Sequence, residues 1–353
     1  MRLPSLVFDK DISSNFKQYL LKEWIITNGL GGYASSTVLG INTRKYHGLL
    51  VASVDRASGR KVCMAKLDEE MNIGKNIYPL SASEFQNGIF PKGYMFLKSF
   101  SVSPFPKYTY SVEEVELRKT IFMPCEKNVA IVLYEVLNQS DFGIELRIFP
   151  LVNWRHYHSV IDRWKDPWKL TEEQKENLLR MDFGDGSLSI VSTRGDFSAD
   201  GKWVEKVFYR EEEKRGESSL DDYYQPGNFS VHVRARENVR FALTATAQSR
   251  KPSGPSVLSE TPIAMYDIDA LYEKERKRRT DLLNRFYREH RDIHVKEWLN
   301  WMILATDTFI IRGFDPRESS VVAGYHWFEA WGRDAFISLP GLLLVARRFE
   351  DAR

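Results

Sequence analysis

VAIVLYEVLN at 129–138 and GIELRIFPLV at 143–152 decide the fold, because both are dense in β-branched and aromatic residues and the break between them, Asn138 to Gly143, has hairpin chemistry. Outward from this pair the pattern recurs in HGLLVASV at 47, EEVELRKTIFM at 113, SLSIVS at 187, WVEKVFYR at 203, FSVHVRA at 229 and FALTATA at 241. A second hairpin-like break stands at Gly184 to Gly186. Strands this numerous, with no α/β alternation, predict a mainly β chain: a large antiparallel two-sheet β-sandwich over residues 1–262. Inside it, WKLTEEQKENLLRM at 168–181 has helix-forming composition and reads as a helical insertion.

The pattern changes after SRKPSGPSVLSETP at 249–262, a Pro, Ser and Gly stretch that reads as an exit linker. A linker helix is expected over 263–292, since DIDALYEKERKRRTDLLNRFY at 267–287 spaces its apolar residues like one helix face, with its KERKRR run as a solvated face. From 293 to 353 the chain reads as the start of a helical domain. VKEWLNWMILATDTFIIRG at 295–313 is apolar on most sides and predicts a buried helix, and Arg333 to Phe349 predicts another, kinked at Pro340. The sequence closes on RRFEDAR without a glycine cap, so a truncated helical domain is the expectation.

Across 353 residues, 50 Lys and Arg against 48 Asp and Glu leave almost no net charge, which disfavours a polybasic nucleic-acid binder. Nine Trp, 16 Tyr and 21 Phe are a heavy aromatic load; core packing takes most such rings, and the excess suits grooves that stack on flat ligand faces. Cys63 and Cys125 stand alone, so neither a zinc site nor a disulfide framework is expected. The start, MRLPSLVFDKDISSNF, lacks a signal-peptide pattern, and no apolar stretch suits a bilayer span, which predicts a cytoplasmic protein with no membrane partner.

Four stretches are dense in polar chemistry. Glu23 to Tyr33 followed by Asn42 to Gly48 has glycines after an apolar run but no Lys-Ser/Thr ending for a phosphate loop. Two readings stand side by side there: a glycine-rich hairpin entry, or Arg44, Tyr46 and His47 presenting donors to a polyhydroxyl ligand. Asn153 to His158 places two histidines at i and i+2 on a strand, with no third ligand at metal spacing, so no metal is expected. Tyr209 to Gly216, running on to Asp221, reads as a solvated loop. Gly324-Tyr325-His326-Trp327-Phe328-Glu329-Ala330-Trp331-Gly332-Arg333-Asp334 leads into an apolar helix. A pyranose needs an aromatic floor and charged groups for its hydroxyls, and Trp327, Trp331, Arg333 and Asp334 supply both; alternatively Asp334 is simply an acid in a first helical turn paired to Arg333.

These stretches, with Pro150 to Arg155, His158, Arg215-Gly216, Pro226-Gly227 and Trp331 to Ile337, resemble the archaeal and bacterial glycogen-debranching, amylo-alpha-1,6-glucosidase-like family. The resemblance implies a sandwich followed by an (α/α)6 six-hairpin toroid, here truncated, that hydrolyses alpha-1,6-linked glucose at glycogen branch points with inversion. It implies glycogen or a branched alpha-glucan as partner, no cofactor, and substrate positioning by Arg333 and Asp334. Inversion needs an acid and a base about 6.5–9.5 Å apart. Glu329 and Asp334 can be nominated, yet the resemblance puts both catalytic groups later in the toroid, so no catalytic residue is assigned and the chain alone is expected to be inactive. Two other readings are a carbohydrate-binding or regulatory sandwich without catalysis, and a glucoamylase-like enzyme acting on alpha-1,4 ends.

Overall fold

A computed structural model describes residues 2–9, 15–55, 59–250, 265–312 and 318–352. Two large antiparallel sheets dominate it. The nine-stranded sheet runs, in spatial order, Leu6–Phe8, Leu97–Val102, Pro106–Val112, Val115–Phe122, Val129–Asn138, Asn238–Ser249, Gly186–Ser192, Leu178–Asp182 and Thr171–Lys175. The second runs Glu23–Thr27, Tyr33–Thr37, Gly48–Asp55, Gly59–Ile73, Ile144–His156, Leu220–Val233, Asp196–Phe208, Ser83–Phe85 and Gly88–Phe90, with Asn76–Pro79 paired to Gly59–Ile73. The two-sheet sandwich is therefore as expected from the strand pattern.

Why 129–138 is apolar at consecutive positions is now plain. Ala130, Val132, Tyr134 and Val136 face the core between the sheets, where they pack with Leu117, Leu146, Ile148 and Phe229. Val129, Ile131 and Leu133 point the other way, into a second cluster with Phe105, Phe122 and Ile268. Ile268 belongs to the helix Met265–Glu289, so this strand is covered on both faces and shows no alternation. Polar cross-links also bind the sheets: Lys119 Nζ lies 2.6 Å from the buried Glu69 carboxylate, which accepts from Tyr134 OH at 2.6 Å.

Five expectations change here. The break Asn138 to Gly143 is not a hairpin but a crossing between the sheets: Val129–Asn138 pairs with Val115–Phe122 and Asn238–Ser249 in one, and Ile144–His156 pairs with Gly59–Ile73 and Leu220–Val233 in the other. Residues 168–181 hold no helix: Thr171–Lys175 and Leu178–Asp182 form a hairpin, paired Lys175 to Leu178 and added to the sheet through Gly186–Ser192. Leu179 and Met181 are buried at period two, and that burial overrides helix propensity. The KERKRR face of the linker helix is not simply solvated. Glu275 is buried and accepts from Cys125 N–H at 2.8 Å, and Arg279 lies 4.8 Å over the Phe105 ring and donates to Pro104 O. The helix Glu297–Thr308 forms, but Trp298 and Met302 are exposed; only the side holding Ile303 against Leu283 and Phe286 is covered. Finally, the last helix is regular only over Gly332–Leu339 and widens into a π-helical turn at Pro340–Leu344, because Pro340 has no N–H to continue the ladder.

The expected linker at 249–262 lies outside the described residues from 251 onward. No helix among the described residues is long and apolar enough to cross a membrane.

Candidate functional site

After the short strand Ser319–Val321 the chain lays residues 322–331 against the outer face of the second sheet. Tyr325 and Trp327 pack there on Tyr33, Tyr46, Val51, Val62 and Tyr157. Arg60, fully buried, drives this docking. Its guanidinium donates to Phe328 O at 3.0 Å and His326 O at 3.4 Å, meets the Glu329 carboxylate at 3.2 Å, and sits 4.7 Å over the Tyr325 ring. A buried cation satisfied by carbonyls, a carboxylate and ring faces is held in one position.

Beside it lies a polar knot. Glu23 accepts from Arg44 Nε at 2.8 Å, and its other oxygen is 3.8 Å from His47 Nε2. The Glu23, His47 and His326 ligand atoms all lie within 4.8 Å of one another, a set of two imidazoles and one carboxylate that sequence spacing did not reveal. Hydrogen bonds decide whether it can take a metal. Thr43 N–H donates to His47 Nδ1 at 3.1 Å, so the neutral ring carries its proton on Nε2. Ser35 Oγ gives its hydrogen to Trp24 O and so accepts from His326 Nε2 at 2.9 Å. A metal would need the lone pair that His47 Nε2 does not have, and Arg44 adds a positive charge beside it; the knot is a hydrogen-bonded dock.

The titration shifts agree. Burial pushes the Glu23 carboxyl up, but the His47 contact and Arg44 outweigh it and bring the pKa down to about 2. Burial pushes the His47 imidazole down, and it brings His326 to about 3, so both rings are neutral at pH 7.

The residues singled out from sequence divide into two groups. Arg44, Tyr46, His47 and Trp327 meet: the Arg44 and Arg215 guanidiniums lie 5.3 and 5.2 Å from the Trp327 ring centre, and Tyr46 is edge-on to it at 6.1 Å. Tyr46 and His47 are buried, and Tyr46 OH pairs with His158 Nδ1 at 3.0 Å. Trp331, Arg333 and Asp334 stand at the other end of the segment, at the start of the helix Gly332–Leu339. Trp331 is 49% exposed, the Arg333 side chain is 75% exposed, and Arg333 Nε is 3.9 Å from Asp334 Oδ2, an oxygen with no hydrogen-bond partner.

Behind the first group lies the stretch read as a solvated loop. It is instead the helix Arg210–Lys214 next to a buried network, in which Asp221 pairs with Arg155 Nε at 2.9 Å and accepts from Tyr209 OH at 2.7 Å. Arg155 reaches on to Lys45 O at 2.6 Å, fixing the turn that carries Tyr46 and His47. Polar residues here face inward because each finds a buried partner. Sequence reasoning missed Arg60 altogether, since a lone arginine after a glycine carries no pattern.

Residues 22–240 match the family model described as glycogen debranching enzyme N terminal, and residues 304–353 match the one described as amylo-alpha-1,6-glucosidase. Among solved structures, a bacterial glucoamylase complexed with acarbose is similar at 10% identity and a TM-score of 0.43, over 95% of this chain and 47% of that one. A putative kojibiose phosphorylase from human microbiome is similar at 11% identity and a TM-score of 0.36, over 92% of this chain and 37% of that one. The chain thus spans about half, or less, of the solved chains it resembles. No curated protein matches it.

Proposed function

Since the chain belongs to the glycogen debranching enzyme family, we propose that it serves the hydrolysis of alpha-1,6-glucosidic branch points in glycogen, with inversion, as a cytoplasmic protein that binds branched alpha-glucan. The observation that carries this reading is the exposed set at the start of the helix Gly332–Leu339. Trp331 offers an exposed ring face, Arg333 a largely exposed guanidinium, and Asp334 a partly exposed carboxylate whose inner oxygen faces Arg333 Nε at 3.9 Å. A hexose matches those needs, because its C–H faces stack on rings and its vicinal hydroxyls take paired charged acceptors and donors. Arg44 and Trp327 border this set in our reading, and Tyr46 and His47 support it from beneath.

Neither Glu329 nor Asp334 is assigned as acid or base. Glu329 is held by Arg60 at 3.2 Å and Asp334 stands 3.9 Å from Arg333, so each carboxylate is already engaged by a guanidinium. The chain on its own is accordingly expected to bind branched glucan and release no glucose. Calorimetry with a branched limit dextrin checks the first part: Asp334→Asn should weaken binding by about 1.5–3 kcal/mol, the range for a hydrogen bond to a charged group. Unchanged affinity in Asp334→Asn, or glucose release by the purified chain, contradicts the reading; the latter would make Glu329 or Asp334 catalytic.

A further inference from the structure

Four of the nine tryptophans, Trp154, Trp164, Trp168 and Trp203, lie on the strand Ile144–His156, the loop that leaves it and the strand Asp196–Phe208. Trp168 lies 5.1 Å from Trp203, which lies 5.3 Å from Tyr224, so three half-buried rings form a continuous apolar surface. Trp164 projects beyond it, 71% exposed. Arg163 lies over the Trp164 ring at 4.2 Å and within 5.7 Å of Trp203, joining the outer ring to the inner ones.

An indole left in water is unremarkable on a mobile loop, but this loop is fixed at its base. The buried Asp222 carboxylate accepts from Arg163 N–H at 2.9 Å and from Lys206 N–H at 2.8 Å, clamping the loop to the neighbouring strand. The buried Asp221 carboxylate accepts from Ile161 N–H at 2.8 Å, and Asp162 accepts from Trp164 N–H at 3.1 Å. The backbone that presents Trp164 is ordered before any ligand arrives, which removes part of the entropy cost of binding. Charges around the rings are matched in pairs: Arg163 with Glu205 at 3.0 Å, Lys206 with Asp162 at 3.3 Å and Lys202 with Asp200 at 3.5 Å. Such a surface offers donors and acceptors without a net field, which suits a neutral polyhydroxyl chain better than a charged polymer.

We propose that Trp164, Arg163, Trp168 and Trp203 form a second glucan-binding surface, one that holds a linear alpha-1,4-linked chain and shares no residue with the Trp331, Arg333 and Asp334 set. The identity of the polymer rests on the family reading above; the site rests on the rings and their mounting. Trp164 is exposed, so Trp164→Ala is expected to fold normally, and circular dichroism checks that. Titration of the full chain with maltoheptaose, followed by tryptophan fluorescence and calorimetry, should show saturable binding that Trp164→Ala weakens at least fivefold. Wild-type chain that does not bind maltoheptaose, or a Trp164→Ala variant that binds it like wild type, overturns the proposal. Failure of the debranching site reads out separately, as branched-dextrin binding that ignores Asp334→Asn while the Trp164 dependence on the linear chain persists.

Discussion

Arg60 has no exposed surface, and its side-chain hydrogen bonds reach carbonyls 266 and 268 positions away in the chain. Replacing it with methionine keeps an apolar stem of similar reach but strips both carbonyls and Glu329 of their donor. Arg60→Met should therefore cost about 2–3 kcal/mol, the scale of charged hydrogen bonds lost to buried acceptors. Urea unfolding measures that loss, and hydrogen exchange should localise it to residues 325–329. Arg60→Lys should rescue little, because one compact ammonium cannot repeat the planar fork. This residue also shows where reading from sequence stops. Trp331, Arg333 and Asp334 could be singled out as candidates because unusual residue types stand close together in the chain. The Arg60 partners are brought to it only by docking, and nothing local to Gly59-Arg60 announces them.

Among the elements, the hairpin of Thr171–Lys175 and Leu178–Asp182 is the most instructive. Lys175 pairs with Leu178, which leaves Glu176 and Asn177 as the turn, and Glu176 has φ of 34°. A glutamate is strained at positive φ, whereas glycine is not. Glu176→Gly should raise the thermal midpoint, with a gain of about 0.5–1 kcal/mol, and calorimetry on the full chain checks it. The composition of TEEQKENLLRM favours a helix, but the alternation of Leu179 and Met181 toward the core is a strand signal too short to win by composition alone. Strands 129–138 and 144–156 were readable because they are long and apolar. The same apolar character overstates how deeply the helix Glu297–Thr308 is buried: apolar sequence states what an element tolerates, and neighbours decide what it buries.

At the scale of the whole molecule, the C-terminal segment is held to the sandwich by groups whose protonation matters. His326 is depressed to about 3 and His47 also lies below its ordinary 6.5, so the docked state refuses protons that a released segment accepts. Docking is fully supported above pH 6.5 and weakens as pH falls through that value; the Glu23 contribution is lost later, between its ordinary 4.5 and about 2. On the order of 2 kcal/mol of docking should be gone by about pH 4.5. Hydrogen exchange corrected for intrinsic rates should show residues 322–331 losing protection between about pH 7 and 4.5 while strand 129–138 keeps its own; equal behaviour of the two would count against a histidine-dependent dock. The same hairpin that closes the nine-stranded sheet bears on how copies of this protein coexist. Thr171–Lys175 is its last strand, exposed at all five positions, and it offers unpaired backbone groups along one side. An edge of this kind recruits other chains unless something repels them. Glu173 and Lys175, 2.9 Å apart, keep charges on that rim, and charged side chains on a short edge strand discourage edge-to-edge growth of the sheet while leaving the ring-lined surface nearby free to meet an uncharged polymer.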